Sequence, residues 1–256
     1  FARAIPETLP QNRRRRFTPR ITADGITEVQ RKFFGTLHNT YNFLALYANI
    51  DRYSGGGDEV PVANRPEIDR WVLSRLNSLI QEVTEAYEAL EPTKVARAIQ
   101  SFAIDDLSNW HVRQSRRRFW KSEMSADKRS AYQTLYTCLK SLSVMISPIA
   151  PFYADLLYRD LTGADESVHL ASFPEADPAC IDTELEARMA LAQQISSQVL
   201  SLRKRERLRV RQPLRLEPRR AMELAARVRF PGAMRHGAGV GTRRRHHPPP
   251  PPRAGL

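Results

Sequence analysis

The chain has 256 residues, a formal net charge of +12, two lone cysteines and an ordinary apolar content. That length suits one large domain or two small ones. No apolar run is long enough to span a membrane, no signal-peptide pattern opens the chain, and Cys138 and Cys180 make neither a disulfide framework nor a zinc half-site, so a reducing cytoplasm is the expected setting.

The positive charge is uneven. Residues 1–20 carry six Arg against one Glu and residues 221–256 seven Arg against one Glu, whereas residues 21–220 hold 27 basic and 26 acidic residues. The stretches QNRRRRFTPR and GAGVGTRRRHHPPPPPRAGL hold no hydrophobic period, and such compositions build no core. The head (1–23) and the tail (218–256) therefore read as disordered or out-of-frame segments, and the coding DNA across both junctions is the check.

Between them the pattern is helical, and residues 24–206 read as one all-α domain, an antiparallel helical bundle. In residues 26–49, Phe33, Leu37, Leu44 and Tyr47 recur at mixed steps of three and four, which makes one face. The Gly- and Pro-rich RYSGGGDEVPVANRP is a connection. Pro66 suits the first turn of a second helix, with Ile68, Val72, Leu76, Leu79, Ile80, Val83 and Tyr87 inside. A third helix opens near Pro92-Thr93, and a fourth near Ser125 runs until Pro148 and Pro151 break it. PFYADLLYRDL is a further short helix and SVHLASFP an extended strap. Thr183 and Glu186 have the spacing of a capping box. They open a last helix with Leu185, Met189, Ala192, Ile195, Val199 and Leu202 inside. In LRVRQPLRL apolar and basic residues alternate with strand period. A lone strand needs a sheet, so residues 207–217 read as the start of a truncated C-terminal sheet domain.

The third helix carries the most pointed chemistry, DDLSNWHVRQSRRRFW at 105–120. At 100° per residue, Val95, Ile99, Phe102, Ala103, Asp106 and Trp110 share one face. The same face continues into Arg113, Gln114 and Arg117. Arg116 lies at its edge, and Arg118 and Lys121 point elsewhere. An inward guanidinium must be paired or line a wet cleft. On the structural reading Trp110 caps the core and Arg113 pairs with an acid on a neighbouring helix. On the functional reading the cluster is an anion site. Charge segregation favours the second. Residues 113–121 hold five basic residues and no acid, and residues 203–220 nine basic and two acidic, so the remainder of 21–220 is acidic. Positive patches on an acidic body attract a polyanion locally. Trp120, with Trp110, offers a surface on which unpaired bases stack.

Several segments, in order, resemble isoleucyl-tRNA synthetases, in the eukaryote-like form that some bacteria carry. These are RKFFGTLHNTYNFLALYAN, RPEIDRWVLSRLNSLI, DLSNWHVRQSRRRFW, AYQTLYTCL, SPIAPFYADLLY, SVHLASFP and VRQPL, spanning about 24–214. The resemblance implies the helical anticodon-binding domain of a class I synthetase, whose partner is isoleucine-specific tRNA. It implies tRNA contact by Asn109, Trp110, Arg113, Arg116, Arg117, Arg118, Trp120 and Lys121. His111 departs from the family's more usual Tyr. The family's catalytic core binds ATP through a HIGH-type motif and a KMSKS-type loop. No H-x-G-H occurs here, KSEMS at 121–125 lies on the wrong side of the arginine helix, and GGG at 55–57 joins two helices rather than a strand and a helix. The expectation is a fragment without catalytic residues, cofactor or metal ligands. ATP and the missing catalytic and C-terminal domains belong to the parent enzyme. The competing reading is a helical interaction or scaffold domain with no RNA contact.

Overall fold

The computed structural model describes residues 23–55, 59–121, 123–210 and 212. The head 1–22, the tail 218–256 and most of the expected strand lie outside the described residues. Eight α-helices occur among those described: α1 (Ala23–Val29), α2 (Gly35–Asp51), α3 (Glu67–Glu88), α4 (Pro92–Ser101), α5 (Arg113–Phe119), α6 (Ala126–Ile146), α7 (Pro151–Thr162) and α8 (Thr183–Arg205). Two π-helical segments, Gln30–Phe34 and Phe102–Val112, fuse α1 to α2 and α4 to α5. No helix among them is long and apolar enough to cross a membrane. The chain divides into two compact units at Gln198/Val199.

In the first unit α3 is the central element. Trp71, Val72, Leu73, Leu76, Leu79, Ile80 and Val83 are all buried, because α3 is packed by α4, by α6 and by the π-segment Phe102–Val112. Pro92 and Pro151 each stand in the first turn of their helix, where a missing N–H costs nothing. A tight turn joins α3 to α4. The Leu90 and Glu91 N–H groups bond back to the carbonyls of Tyr87 and Ala86, the paired bonds of a Schellman ending. Leu90 holds the left-handed position at φ 57° that glycine usually takes.

α6 begins where Ser125 accepts from the Lys128 N–H, as its place before the apolar run predicts. Its Ala131, Leu135, Cys138, Leu139, Leu142 and Met145 are fully buried. Phe33, Leu37 and Leu44 are buried and Tyr47 half-buried, as the spacing in 26–49 predicts.

α8 departs from expectation in two ways. Its N-cap is Asp182, whose Oδ1 accepts from the Leu185 N–H at 2.9 Å; Thr183 is one residue inside. Glu186 is not free to close a capping box, since its carboxylate accepts from Ser74 Oγ, Ser78 Oγ at 2.8 Å and Arg75 at 3.1 Å. Of its six expected inner residues Leu185 is buried and Met189 and Leu202 half-buried, but Ala192, Ile195 and Val199 are exposed.

In the second unit Arg207 and Val210 lie in turns, and none of residues 207–210 is in the expected strand. The Arg203 guanidinium gathers the carbonyls of Arg209, Val210 and Gln212. These backbone acceptors are satisfied by a side chain and not by a neighbouring strand.

Candidate nucleic-acid interface

The run Pro92–Phe119 is helical throughout but not of one pitch. Up to Asp106 the buried residues follow the α-helical wheel: Val95, Ile99, Phe102, Ala103 and Asp106. Beyond it they recur at five, so that Phe102, Leu107 and Val112 form one buried line and Asp106 and His111 another. A π-helix bonds i to i+5 and turns less per residue than an α-helix, so over eleven residues the inward face slips along the sequence. When α-helical pitch resumes, Ser115 and Phe119 face the core.

This slip corrects the expected direction of the arginines. Arg113 and Arg117 do not face inward; they are exposed, as are Gln114 and Arg116. Arg118, expected to point elsewhere, is the guanidinium that turns in. Its fork takes Asp69 bidentately, both bonds 2.7 Å. It also donates to the Asp127 carbonyl at 2.7 Å and pairs with the Asp127 carboxylate at 2.8 Å.

Asp69 has no exposed surface. Besides Arg118 it accepts from His111 Nε2 at 2.9 Å and from Ser130 Oγ at 2.6 Å. Burial alone would push its carboxyl up. The hydrogen bonds from Arg118 and His111 overcome that and hold it well below the usual carboxylate range. His111, where the resemblance sets a Tyr, thus has a structural duty, and its Nδ1 has no hydrogen-bond partner among the described residues. Nearby, the fully buried Lys128 donates to the Asp51 carboxylate and to the Lys121 carbonyl. Tyr132 donates to the same carboxylate. No local pattern in the sequence displays Asp51, Lys128, Ser130 or Tyr132. Asp69 is legible, because it lies three and seven residues before Val72 and Leu76, on the buried arc of α3.

Turning Arg118 inward turns the others out together. Arg113, Arg116, Arg117 and Trp120 stand at i, i+3, i+4 and i+7, one stripe of a helix. The three guanidinium groups make no hydrogen bond or ion pair among the described residues, and Trp120 is 59% exposed. Lys121 follows, exposed. Asn109 is exposed one π-turn earlier, whereas Trp110 is half-buried against the core and donates its indole N–H to Met189 Sδ at 3.1 Å. Of the eight residues named for RNA contact, six share the solvent side and two, Trp110 and Arg118, are engaged within the protein.

The first unit is thus a helical bundle that carries an outward basic and aromatic stripe. Residues 69–218 match the family model described as the anticodon-binding domain of tRNA ligase, and the chain belongs to that family. It is similar to the isoleucine–tRNA ligase of Porphyromonas gingivalis, 61% identical over 191 residues, which is 75% of this chain and 17% of that protein. The enzyme of that name from Cytophaga hutchinsonii is 59% identical over 75% of this chain and 18% of its own length. The one from Thermus thermophilus is 42% identical over 81% of this chain and 20% of its length. The chain thus spans about a fifth or less of the length of these relatives.

Proposed function

We propose that this chain is the anticodon-arm-binding region of an isoleucyl-tRNA synthetase, of class I and of the eukaryote-like form, and that its partner is isoleucine tRNA in the cytoplasm. The observation that carries this is the stripe Arg113, Arg116, Arg117 and Trp120 on a domain of the anticodon-binding family. Guanidinium groups with no partner among the described residues are available to phosphates, which fix the position of the RNA. An exposed indole can stack on an unpaired base of the loop. Asn109 and Lys121 extend the contact on either side. Arg118 and Trp110 belong to its support. ATP and the joining of isoleucine to tRNA belong, on this reading, to the part of the relatives outside the match.

The test is an anisotropy titration of the chain with isoleucine tRNA over a range of salt. With three to five phosphate contacts the log–log slope should be about −2 to −4.5. Arg113→Ala and Arg117→Ala should each weaken binding and flatten that slope by about 0.7–0.9, and Trp120→Ala should cost about 1–3 kcal/mol. Salt-independent binding, or equal affinity for a tRNA with an unrelated anticodon, would leave only a scaffold.

A further inference from the structure

The corner between α5 and α6 is held from inside by a network that never reaches the surface stripe. Arg118 sits one residue after Arg117 and two before Trp120. Its guanidinium bridges Asp69 of α3 and both the carbonyl and the carboxylate of Asp127 in the first turn of α6. Lys128, next along, donates to the Lys121 carbonyl within the connecting segment. Asp69 is further fixed by His111 from the π-segment and by Ser130 from α6. Four elements thus meet on one buried carboxylate, and the turn that carries Arg116, Arg117 and Trp120 is the one they grip.

We propose that Arg118, held between Asp69 and Asp127, is a positioning residue for the RNA-contacting stripe: it sets the direction of the last turn of α5 and takes no part in phosphate contact. The inference rests on the RNA reading above. A planar fork makes this geometry possible, since only Arg offers several donors in fixed directions. The stripe's three arginines are long and flexible, so their common direction comes from the backbone beneath them. That backbone is fixed by Arg118.

Charge makes the test sharp. Asp127→Asn removes a negative charge next to a polyanion site, so on electrostatics alone tRNA binding should stay equal or tighten. A positioning role predicts the opposite, a several-fold weaker Kd. Arg118→Lys preserves the charge and removes the fork, and should weaken binding at least five-fold. The full chain, labelled with 5-fluorotryptophan, gives an independent signal. The Trp120 resonance, assigned with Trp120→Phe, should shift in both variants while that of buried Trp71 stays in place. Wild-type chain that fails to bind isoleucine tRNA in a salt-dependent way overturns the RNA reading itself. Wild-type binding with both variants equal or tighter overturns the positioning role alone. If Arg118→Lys loses its helical circular dichroism, Asp127→Asn decides, because that carboxylate is 38% exposed at the rim of the network and its loss leaves the core intact.

Discussion

Asp69 and Asp106 are both buried carboxylates of one unit, and their surroundings push them in opposite directions. Asp69 is held below the usual range by the bonds from Arg118 and His111. Burial raises Asp106 despite the bond from Gln193 and the charge of Arg75. For Asp69 the folded value is depressed. Its stabilisation is complete above the unfolded carboxyl value of about 3.9 and is lost only as pH falls through the lower folded value. For Asp106 the folded value is raised, so folding takes up a proton between the two values and the stability tied to this site increases as pH falls through that window. Asp69→Ala leaves Arg118 and His111 facing an empty site, and breaking a buried pair on one side costs about 3–5 kcal/mol. Urea unfolding at pH 7 should show that loss in the midpoint. Lowering the pH of the wild type from 7 to 5 should leave the Asp69 contribution untouched.

At the scale of the element, caps and pitch decide where side chains point. α8 is capped by Asp182 and not by Thr183, so Asp182→Ala should cost about 1 kcal/mol and Thr183→Ala close to nothing. Thermal melts of the two variants check this. Thr183 and Glu186 had the letter spacing of a capping box, but Glu186 is drawn to Ser74, Arg75 and Ser78 of α3. A tertiary clamp of three donors outweighs one local bond, and nothing in the local sequence displays it. The helices themselves were legible because apolar steps of three and four, Pro92, Pro151 and Ser125 are local signals. The basic and aromatic character of α5 is legible in composition, whereas the direction of its side chains is not. A wheel of constant pitch carries the inward face to Arg113 and Arg117, whereas the π-segment carries it to Ser115 and Phe119. The five-residue recurrence of Phe102, Leu107 and Val112 is the trace of that pitch in the sequence. It reads as noise until the segment is known to be buried on that line. The second half of α8 failed for another reason: Ile195 and Val199 keep the apolar period while remaining exposed, and period alone does not say what, if anything, covers a face.

Across the whole molecule, where a charge sits matters more than the total. The net charge of +12 is concentrated at the two ends of the chain, and residues 21–220 are close to balanced. An affinity that followed net charge would treat every exposed arginine alike. Arg97 on α4 provides the comparison. It is exposed like Arg117, but it borders a groove shared with Glu82, Glu91 and Lys94, and Asp105 lines the adjoining hollow. Along the helical run from Arg97 to Arg113 the separation is about 20 Å, more than two screening lengths at physiological salt, where the Debye length is about 8 Å. Arg97→Glu and Arg117→Glu change the net charge by the same amount. Arg117→Glu inserts an acid between Arg113, Arg116 and Trp120, where a phosphate would have to approach, so tRNA affinity should fall at least ten-fold and the salt slope should flatten by about one contact. Arg97→Glu should change affinity less than two-fold and leave the slope as it was. Equal losses in the two titrations would mean that the molecule attracts RNA by its overall field, and the stripe on α5 would have no claim to be the docking edge.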